Sequence, residues 1–331
     1  MRPPVVLFGS VGLAGCSGIQ SPLAPGGHEA DALFSLFTLM MIVCGAIYLL
    51  VMAGLGWSLW RVYRRRVTAR VGTADDRVLE RGVGVAAAVI VVGLTVLIVG
   101  SFLADRALFA ARGQDAMVVR VTGHQWWWRI QYRDPVTGRW IETANELHLP
   151  AGRTARLVLS AADVIHSFWV PNVAGKLDMI PGRRNLLDVT PHREGWFRGQ
   201  CAEFCGAQHA HMAFDVKVES PAAFDAWLAG QARQAAAAKD PLSVRGAAIF
   251  GGPCAACHVV RGNPTGGRAG PDLTHFASRR SIAAGTLSMT RGNIQGWIAQ
   301  PQASKPGTSM PAVPLPPADA NAVAHYLATL R

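Results

Sequence analysis

From Ala32 to Trp60 the chain runs 29 residues without a charged side chain, and from Gly82 to Ala104 it runs another 23. About 20 apolar residues suffice to cross the hydrocarbon core of a bilayer, so both stretches can span it, the first with tilt or overhang. The competing reading, a buried helix of a large soluble core, fits poorly with uncharged runs of that length flanked by Arg. Between them, Arg61 to Arg81 holds seven Arg against Asp75, Asp76 and Glu80. Cytoplasmic loops are the ones enriched in Lys and Arg. This loop is therefore predicted to be cytoplasmic, and everything beyond residue 105 to lie on the outer face. Trp57 and Trp60 fall at the predicted interface, and Cys44, mid-span, is expected only to pack as a small hydrophobe.

The N-terminus agrees with export. Met1 to Ser17 carries one charge, at Arg2, then an apolar stretch from Val5 to Ala14 and small residues before Cys16. Such a segment is too short to span and reads as a secretory signal. Leu13-Ala14-Gly15-Cys16 resembles the lipobox of bacterial lipoproteins, which implies a signal over 1–15 and a lipidated Cys16. An ordinary signal with an incidental Cys is the alternative.

A net charge of +11 raises the question of a nucleic-acid partner. Residues 1–111 carry 9 basic and 6 acidic side chains, residues 112–232 carry 13 and 12, and residues 233–331 carry 10 and 3. The one tight basic cluster, Arg61 with Arg64, Arg65 and Arg66, directly follows an apolar stretch. That is a membrane signature, and no nucleic-acid partner is expected.

Residues 112–220 change texture. Met117 to Val121, Trp126 to Tyr132, Arg153 to Leu159 and Phe214 to Val218 are short runs rich in β-branched and aromatic residues. Asp134-Pro135 with Thr137-Gly138, Pro150-Ala151-Gly152 and Pro181-Gly182 separate them as turns, which predicts a β-sandwich or barrel. Three adjacent Trp in one strand would put Trp126 and Trp128 on one face and Trp127 on the other.

Inside this region lies Cys201-Ala-Glu203-Phe-Cys205-Gly-Ala-Gln-His209-Ala-His211-Met212. Two thiols, imidazole and a thioether within twelve residues make a donor set suited to copper rather than Mg or Ca. Two Cys four apart can bridge two metal ions. Zinc is the rival metal, but it ordinarily closes four Cys or His ligands and has no use for Met212. His211 is read as a solvent-facing neighbour. A further imidazole is available at His166, in Asp163-Val-Ile-His166-Ser-Phe-Trp-Val-Pro171.

These motifs, with Lys176-Leu-Asp178-Met-Ile-Pro-Gly-Arg183 and Gly123-His-Gln-Trp126-Trp-Trp, resemble subunit II of the haem-copper cytochrome c oxidases from about residue 30 to 230. The resemblance implies a cupredoxin-like barrel with a dinuclear CuA centre. Cys201 and Cys205 would bridge both coppers. His166 and Met212 would complete one ion, and His209 with the Glu203 carbonyl the other. The Glu203 carboxylate would face a Mg site shared with subunit I, and Trp126 would mark where electrons enter. The second spanning segment lacks the Trp-Thr and the Pro common in that family. Glu80 takes about the place of a family carboxylate near a proton path, and is read as a solvated juxtamembrane charge.

Ala232 to Asp240 reads as the continuation of a helix begun near Pro221, giving a helical linker over 221–241. Beyond it, Cys254-Ala-Ala-Cys257-His258 is the signature of covalent c-type haem attachment, with His258 as proximal ligand. Met310, in the Pro-rich Lys305-Pro-Gly-Thr-Ser-Met310-Pro311, is preferred over Met289 as the second axial ligand. Residues 242–331 resemble small class I cytochromes c, which implies that the Pro271 carbonyl holds the His258 ring N–H. Helices are expected over Ser243 to Phe250, after Asn293, and over Asp319 to Leu330.

The expected architecture is a multidomain membrane protein: a two-helix transmembrane hairpin (about 32–60 and 82–104), an all-β cupredoxin-like domain (112–220) and an all-α cytochrome c domain (242–331). The resemblance implies the CuA- and haem c-bearing subunit of a proton-pumping caa-type oxidase in a bacterial cell membrane. Its partners would be subunit I, subunit III and a donor such as a cytochrome c or the quinol–cytochrome c reductase. A quinol oxidase subunit lacks such a ligand set, and the haem motif disfavours a copper-storage protein. A CuA subunit of a nitric or nitrous oxide reductase remains an alternative.

Overall fold

The computed structural model describes residues 17–65, 76–110, 116–263 and 266–331. The signal segment, Cys16 and residues 66–75 of the Arg-rich loop lie outside the described residues. The chain divides into two compact units, Asp31–Arg112 and the remainder.

The first unit is built from α1 (His28–Arg65) and α2 (Asp76–Ala110). Both are long and apolar enough to cross a membrane. They extend past the uncharged stretches because their charged ends continue the helix. Within them, the hydroxyls of Ser35, Thr38, Ser58 and Thr95 donate to the carbonyl four residues back, at 2.8–2.9 Å. No polar side chain among these four is left to face lipid unpaired. Gly93 and Gly100 let the helices approach: a Cβ at Gly100 would meet Leu39 at 2.6 Å, and one at Gly93 would meet Ile47 at 3.2 Å. Small residues at such points are how apolar helices gain packing in lipid. Arg61 and Arg64 lie over the rings of Trp57 and Trp60, at 5.6 and 4.4 Å.

The second unit begins with ten strands: β1 (Met117–His124), β2 (Trp127–Arg133), β3 (Trp140–Ala144), β4 (Glu146–Pro150), β5 (Ala155–Ala161), β6 (His166–Trp169), β7 (Leu177–Met179), β8 (Asn185–Val189), β9 (Gly195–Cys201) and β10 (Ala213–Glu219). They form two five-stranded sheets, ordered β3-β2-β1-β5-β8 and β4-β10-β9-β6-β7. Pairing is antiparallel except for β1 with β5 and β10 with β4. Alternate residues of β1, β2 and β5 are buried, and Val121, Trp128, Ile130, Leu157, Leu159, Phe168 and Phe214 fill the space between the sheets.

The three Trp do not share a strand. Gln125 and Trp126 form the turn between β1 and β2, which removes Trp126 from the alternation. Trp128 points into the core, while Trp127 stacks on His124 with ring centroids 4.5 Å apart.

The predicted helical linker is also shorter than expected. Helix α3 (Pro221–Gln231) is capped by the Ser220 hydroxyl and seats Phe224 and Leu228 on the sandwich core. It stops at Gln231, and residues 232–240 are not helical. Arg261 donates to the Gln231 carbonyl at 2.6 Å, and the Ala235 N–H donates to the Arg261 carbonyl at 2.9 Å. Backbone groups that would extend the helix are thus spent on the next domain. Asp240 then caps a new helix, accepting from the N–H groups of Leu242 and Ser243, with Pro241 in the first turn, where its missing N–H costs nothing.

The C-terminal part contains α4 (Pro241–Phe250), the hairpin β11 (Ser281–Ile282) and β12 (Leu287–Ser288), α5 (Arg291–Ala299), α6 (Pro301–Ser304) and α7 (Pro317–Thr329). Helices α4 and α7 cross at Gly246, where a Cβ would sit 2.1 Å from the Ala322 carbonyl oxygen. The Thr290 hydroxyl accepts from the Asn293 N–H, so α5 starts two residues before Asn293. The hairpin was not foreseen. It turns through Ala283, Ala284 and Gly285, all with positive φ, and it binds the sandwich. The Ala213 N–H donates to the Ala284 carbonyl at 3.1 Å, the Ser281 hydroxyl to Asp215 at 2.5 Å, and the Arg280 N–H to Glu146 at 2.9 Å.

Candidate metal centre and haem cavity

Strands β9 and β10 run antiparallel, and their link, residues 202–212, is the donor-rich loop. The Phe214 ring lies against Gly199, where a Cβ would fall 2.1 Å from it, so the two strands are drawn together directly beneath the loop. His166 opens β6, the neighbour of β9. One sheet thus delivers the donors from two separate sequence segments.

They converge. Cys201 Sγ lies 3.8 Å from Cys205 Sγ, 3.8 Å from His166 Nδ1 and 3.2 Å from the Glu203 carbonyl oxygen. Cys205 Sγ lies 3.7 Å from His209 Nδ1 and 3.8 Å from Met212 Sδ. Cys201, Cys205, His166 and Met212 are buried, whereas the Glu203 and His211 side chains are exposed. His211 Nδ1 contacts Gln208, away from the sulfurs. Two sulfurs, each with its own imidazole, and one with a thioether, are a set that copper fits and a four-ligand zinc site does not need. The Cys201 thiol is pulled well below its ordinary value, first by its hydrogen bond to the Cys205 thiol and then by His166, against burial. Cys205 is pushed up by that same partner and by burial. The pair therefore holds one thiolate readily, and a cation is needed to hold two.

Support around the donors was not singled out from sequence. Asp163 accepts from His166 Nε2 at 2.8 Å, which leaves Nδ1 facing Cys201. Burial works against its charge, but hydrogen bonds from His166, Gln125 and Val164 hold this carboxyl below its usual range. Orienting partners of this kind are typical of ligating imidazoles. Gly123 lies under the same ring, and a Cβ there would come within 2.8 Å of it. Trp126 Nε1 and Gln125 Nε2 both donate to the Cys205 carbonyl, at 2.9 and 2.8 Å. An aspartate three residues before a histidine was the one available signal.

A second cavity carries the remaining predicted residues. Cys254, Cys257, His258, Pro271 and Met310 line it, as does Trp126; Met289 does not. His258 Nδ1 lies 2.9 Å from the Pro271 carbonyl oxygen. Burial holds this imidazole below its ordinary value against that bond, which favours the neutral form that ligates iron. Gly270 sits on the ring, where a Cβ would come within 2.5 Å. Arg279, also on the cavity wall, is buried and bonded to the Asp272 carbonyl, yet its Nε has no partner. A buried orphan donor on a largely apolar cavity wall fits the carboxylate of a haem propionate.

These features define a membrane-anchored protein with a copper-type sandwich and a c-type haem domain. Residues 134–219 match the family described as "Cytochrome C oxidase subunit II, periplasmic domain", and residues 243–331 match "Cytochrome c". The chain is 32% identical over 334 residues to cytochrome c oxidase subunit 2 of Alkalihalophilus pseudofirmus, covering 96% of this chain and 94% of that protein. It is 32% identical over 244 residues to the Bacillus subtilis subunit 2, covering 69% and 67%. The crystal structure of the periplasmic domain of subunit II of cytochrome oxidase from Bradyrhizobium japonicum matches 35% of this chain and 93% of that one, at 31% identity and a TM-score of 0.33. The chain belongs to the cytochrome c oxidase subunit II family and carries a fused cytochrome c domain.

Proposed function

We propose that this chain is the electron-accepting subunit of a caa-type oxidase, taking electrons at its own haem c and passing them through CuA to subunit I. The observation that carries the reading is Trp126: its indole donates to the carbonyl of Cys205 and lines the cavity of Cys257, His258 and Met310. Copper and haem supply one-electron redox chemistry when bound.

The residues divide the work. Cys201, Cys205, His166, Met212, His209 and the Glu203 carbonyl would hold the copper, which would supply one-electron redox chemistry there. Cys254 and Cys257 would attach the haem, His258 and Met310 would be its ligands, and the Pro271 carbonyl would orient His258. Asp163 fixes His166, and the closely packed β9–β10 pair holds the loop still, which suits a site whose geometry must not reorganise with each electron. Trp126 is covered by the chain's own haem domain and is 8% exposed. Electrons therefore reach it from the haem side, not from a free protein in solution.

Val164, Ile165 and Phe204 are exposed apolar side chains within two residues of copper ligands. They provide the surface on which subunit I docks, with the exposed Glu203 carboxylate beside them as the donor to a shared Mg. The two long helices anchor the chain as a hairpin with its Arg-rich loop in the cytoplasm, and both redox domains lie on the outer face of a bacterial membrane. Cys16 is the site of lipidation. Subunit III and proton pumping belong to the whole oxidase.

The test is an optical and EPR spectrum of the purified chain with metal counts. Two coppers with a near-infrared band and one haem are expected. A single copper, or zinc in its place, would refute the CuA assignment. Oxygen consumption by the purified complex distinguishes an oxidase from a nitric or nitrous oxide reductase.

A further inference from the structure

Lys305 is among the most deeply buried charged side chains described, 2% exposed. Its ammonium donates to three backbone carbonyls: Trp126 at 2.7 Å, His211 at 2.8 Å and Ala283 at 3.1 Å. Burial pulls the ammonium down to about 7, and in its charged form three donors meet three acceptors, so that form is fully hydrogen-bonded. The acceptors come from three places: the β1–β2 turn, the copper-ligand loop beside Met212, and the haem domain's β11–β12 hairpin.

The residues that follow Lys305 continue the clasp. Gln208 of the copper loop donates to the Pro306 carbonyl at 2.8 Å. Gly307, at φ +85°, lies against the Trp126 indole, where a Cβ would come within 3.3 Å. Three residues further on is Met310, on the wall of the haem cavity. A single short segment therefore touches the copper loop, Trp126 and the haem ligand sphere.

We propose that Lys305 is a positioning residue, the latch that fixes the haem domain in register on Trp126 and the copper loop. Its ammonium bonds backbone carbonyls and none of the candidate ligand side chains, although it stands on the wall of the haem cavity. It acts by denying the two domains any sliding freedom, since a shift of either would pull at least one carbonyl from the ammonium. An exposed ion pair could not serve as well, because solvent and salt would loosen it. The inference rests on the reading of the haem as the electron source for CuA.

The test uses the assembled complex carrying Lys305→Met, which keeps the length of the side chain and removes every donor. Flash reduction of haem c, followed by its reoxidation, reads the transfer step. The copper signal's spin–lattice relaxation, quickened by a nearby ferric haem, reads the domain register without turnover. Haem and copper spectra should be unchanged, transfer should slow by about tenfold or more, and the relaxation enhancement should fall. Lys305→Arg, which keeps a cation with several donors, should recover part of both.

Unchanged transfer and relaxation in Lys305→Met would overturn the latch. So would loss of the copper spectrum alone, since Lys305 would then be holding the ligand loop rather than the domain. If the Met variant does not assemble, Lys305→Gln is decisive by the same two readouts. A parent complex with no haem-to-copper transfer would refute the electron path instead, and the relaxation measurement would still judge the latch.

Discussion

The copper loop and the haem cavity solve the same problem, holding a redox group, in opposite ways. The copper donors hang from adjacent strands of a filled sandwich and already lie within 4 Å of a neighbouring donor or thiol. The haem residues line a cavity enclosed by the buried side chains of a domain of about 90 residues. The sandwich core is filled by its own side chains, whereas the core of the haem domain surrounds a cavity. A preformed site suits a small ion bound by a rigid loop. A large apolar macrocycle can instead be part of the core.

That contrast can be broken most severely by removing the haem attachment. Cys254→Ala with Cys257→Ala should leave the C-terminal domain without haem and open to proteolysis, while the copper spectrum persists. If the haem-free domain resisted protease as well as the parent, its dependence on the cofactor would be wrong. Next in size, Met212→Leu should disrupt electron transfer from the haem domain while the haem spectrum stays intact; an unaltered rate of CuA reduction would remove Met212 from the site. Met310→Ala should abolish the Met–iron spectroscopic signature and lower the haem potential without touching the copper spectrum. An unchanged potential would transfer the role to Met289.

A smaller effect tests the sandwich alone. His148 lies between Glu146 and Glu219, at 2.9 and 2.7 Å, and stacks on Trp227 with centroids 3.9 Å apart. Burial opposes its charge, but the two carboxylates prevail and raise it above the ordinary 6.5. Its contribution to stability is complete below that unfolded value and is lost as pH rises through the higher folded one. The copper domain's melting temperature should therefore fall between neutral and alkaline pH, and His148→Gln should flatten that slope. Because the substitution leaves buried carboxylates without their cation, a loss of about 3 kcal/mol is expected at neutral pH. A parent slope identical to the variant's would remove His148 from the account.

Much of both sites was legible because their chemistry is local in sequence. Cys201 to Met212 and Cys254 to His258 carry their donors within a few residues, and spacing alone shows what they can hold. Trp126 was misassigned to a strand because alternation is a rule for extended chain, and nothing in Gln-Trp-Trp-Trp announces a turn. The helix through Ala232 to Asp240 failed for a different reason. Alanine favours helix in isolation, but Arg261, thirty residues beyond Gln231, claims the carbonyl at the helix end. Asp163 stood in the His166 motif without a role of its own, and Lys305 in the Met310 loop likewise, since an aspartate or lysine has many uses.

The sequence by itself determined the two long apolar helices, the β character of the middle region, the candidate copper and haem donors and the family resemblance. The helices and strands follow from residue type and periodicity, and the candidate donors and the family from the motifs that carry the resemblance. Only the tertiary structure decided that Asp163 holds His166 beside the copper loop, that Arg279 leaves a donor free on the cavity wall, and that the C-terminal domain covers Trp126 with Lys305 buried between. Those outcomes depend on which backbone carbonyls and cavities the folded chain brings together across as many as 179 residues. Long-range contacts of that kind arise from packing and leave no periodicity to read.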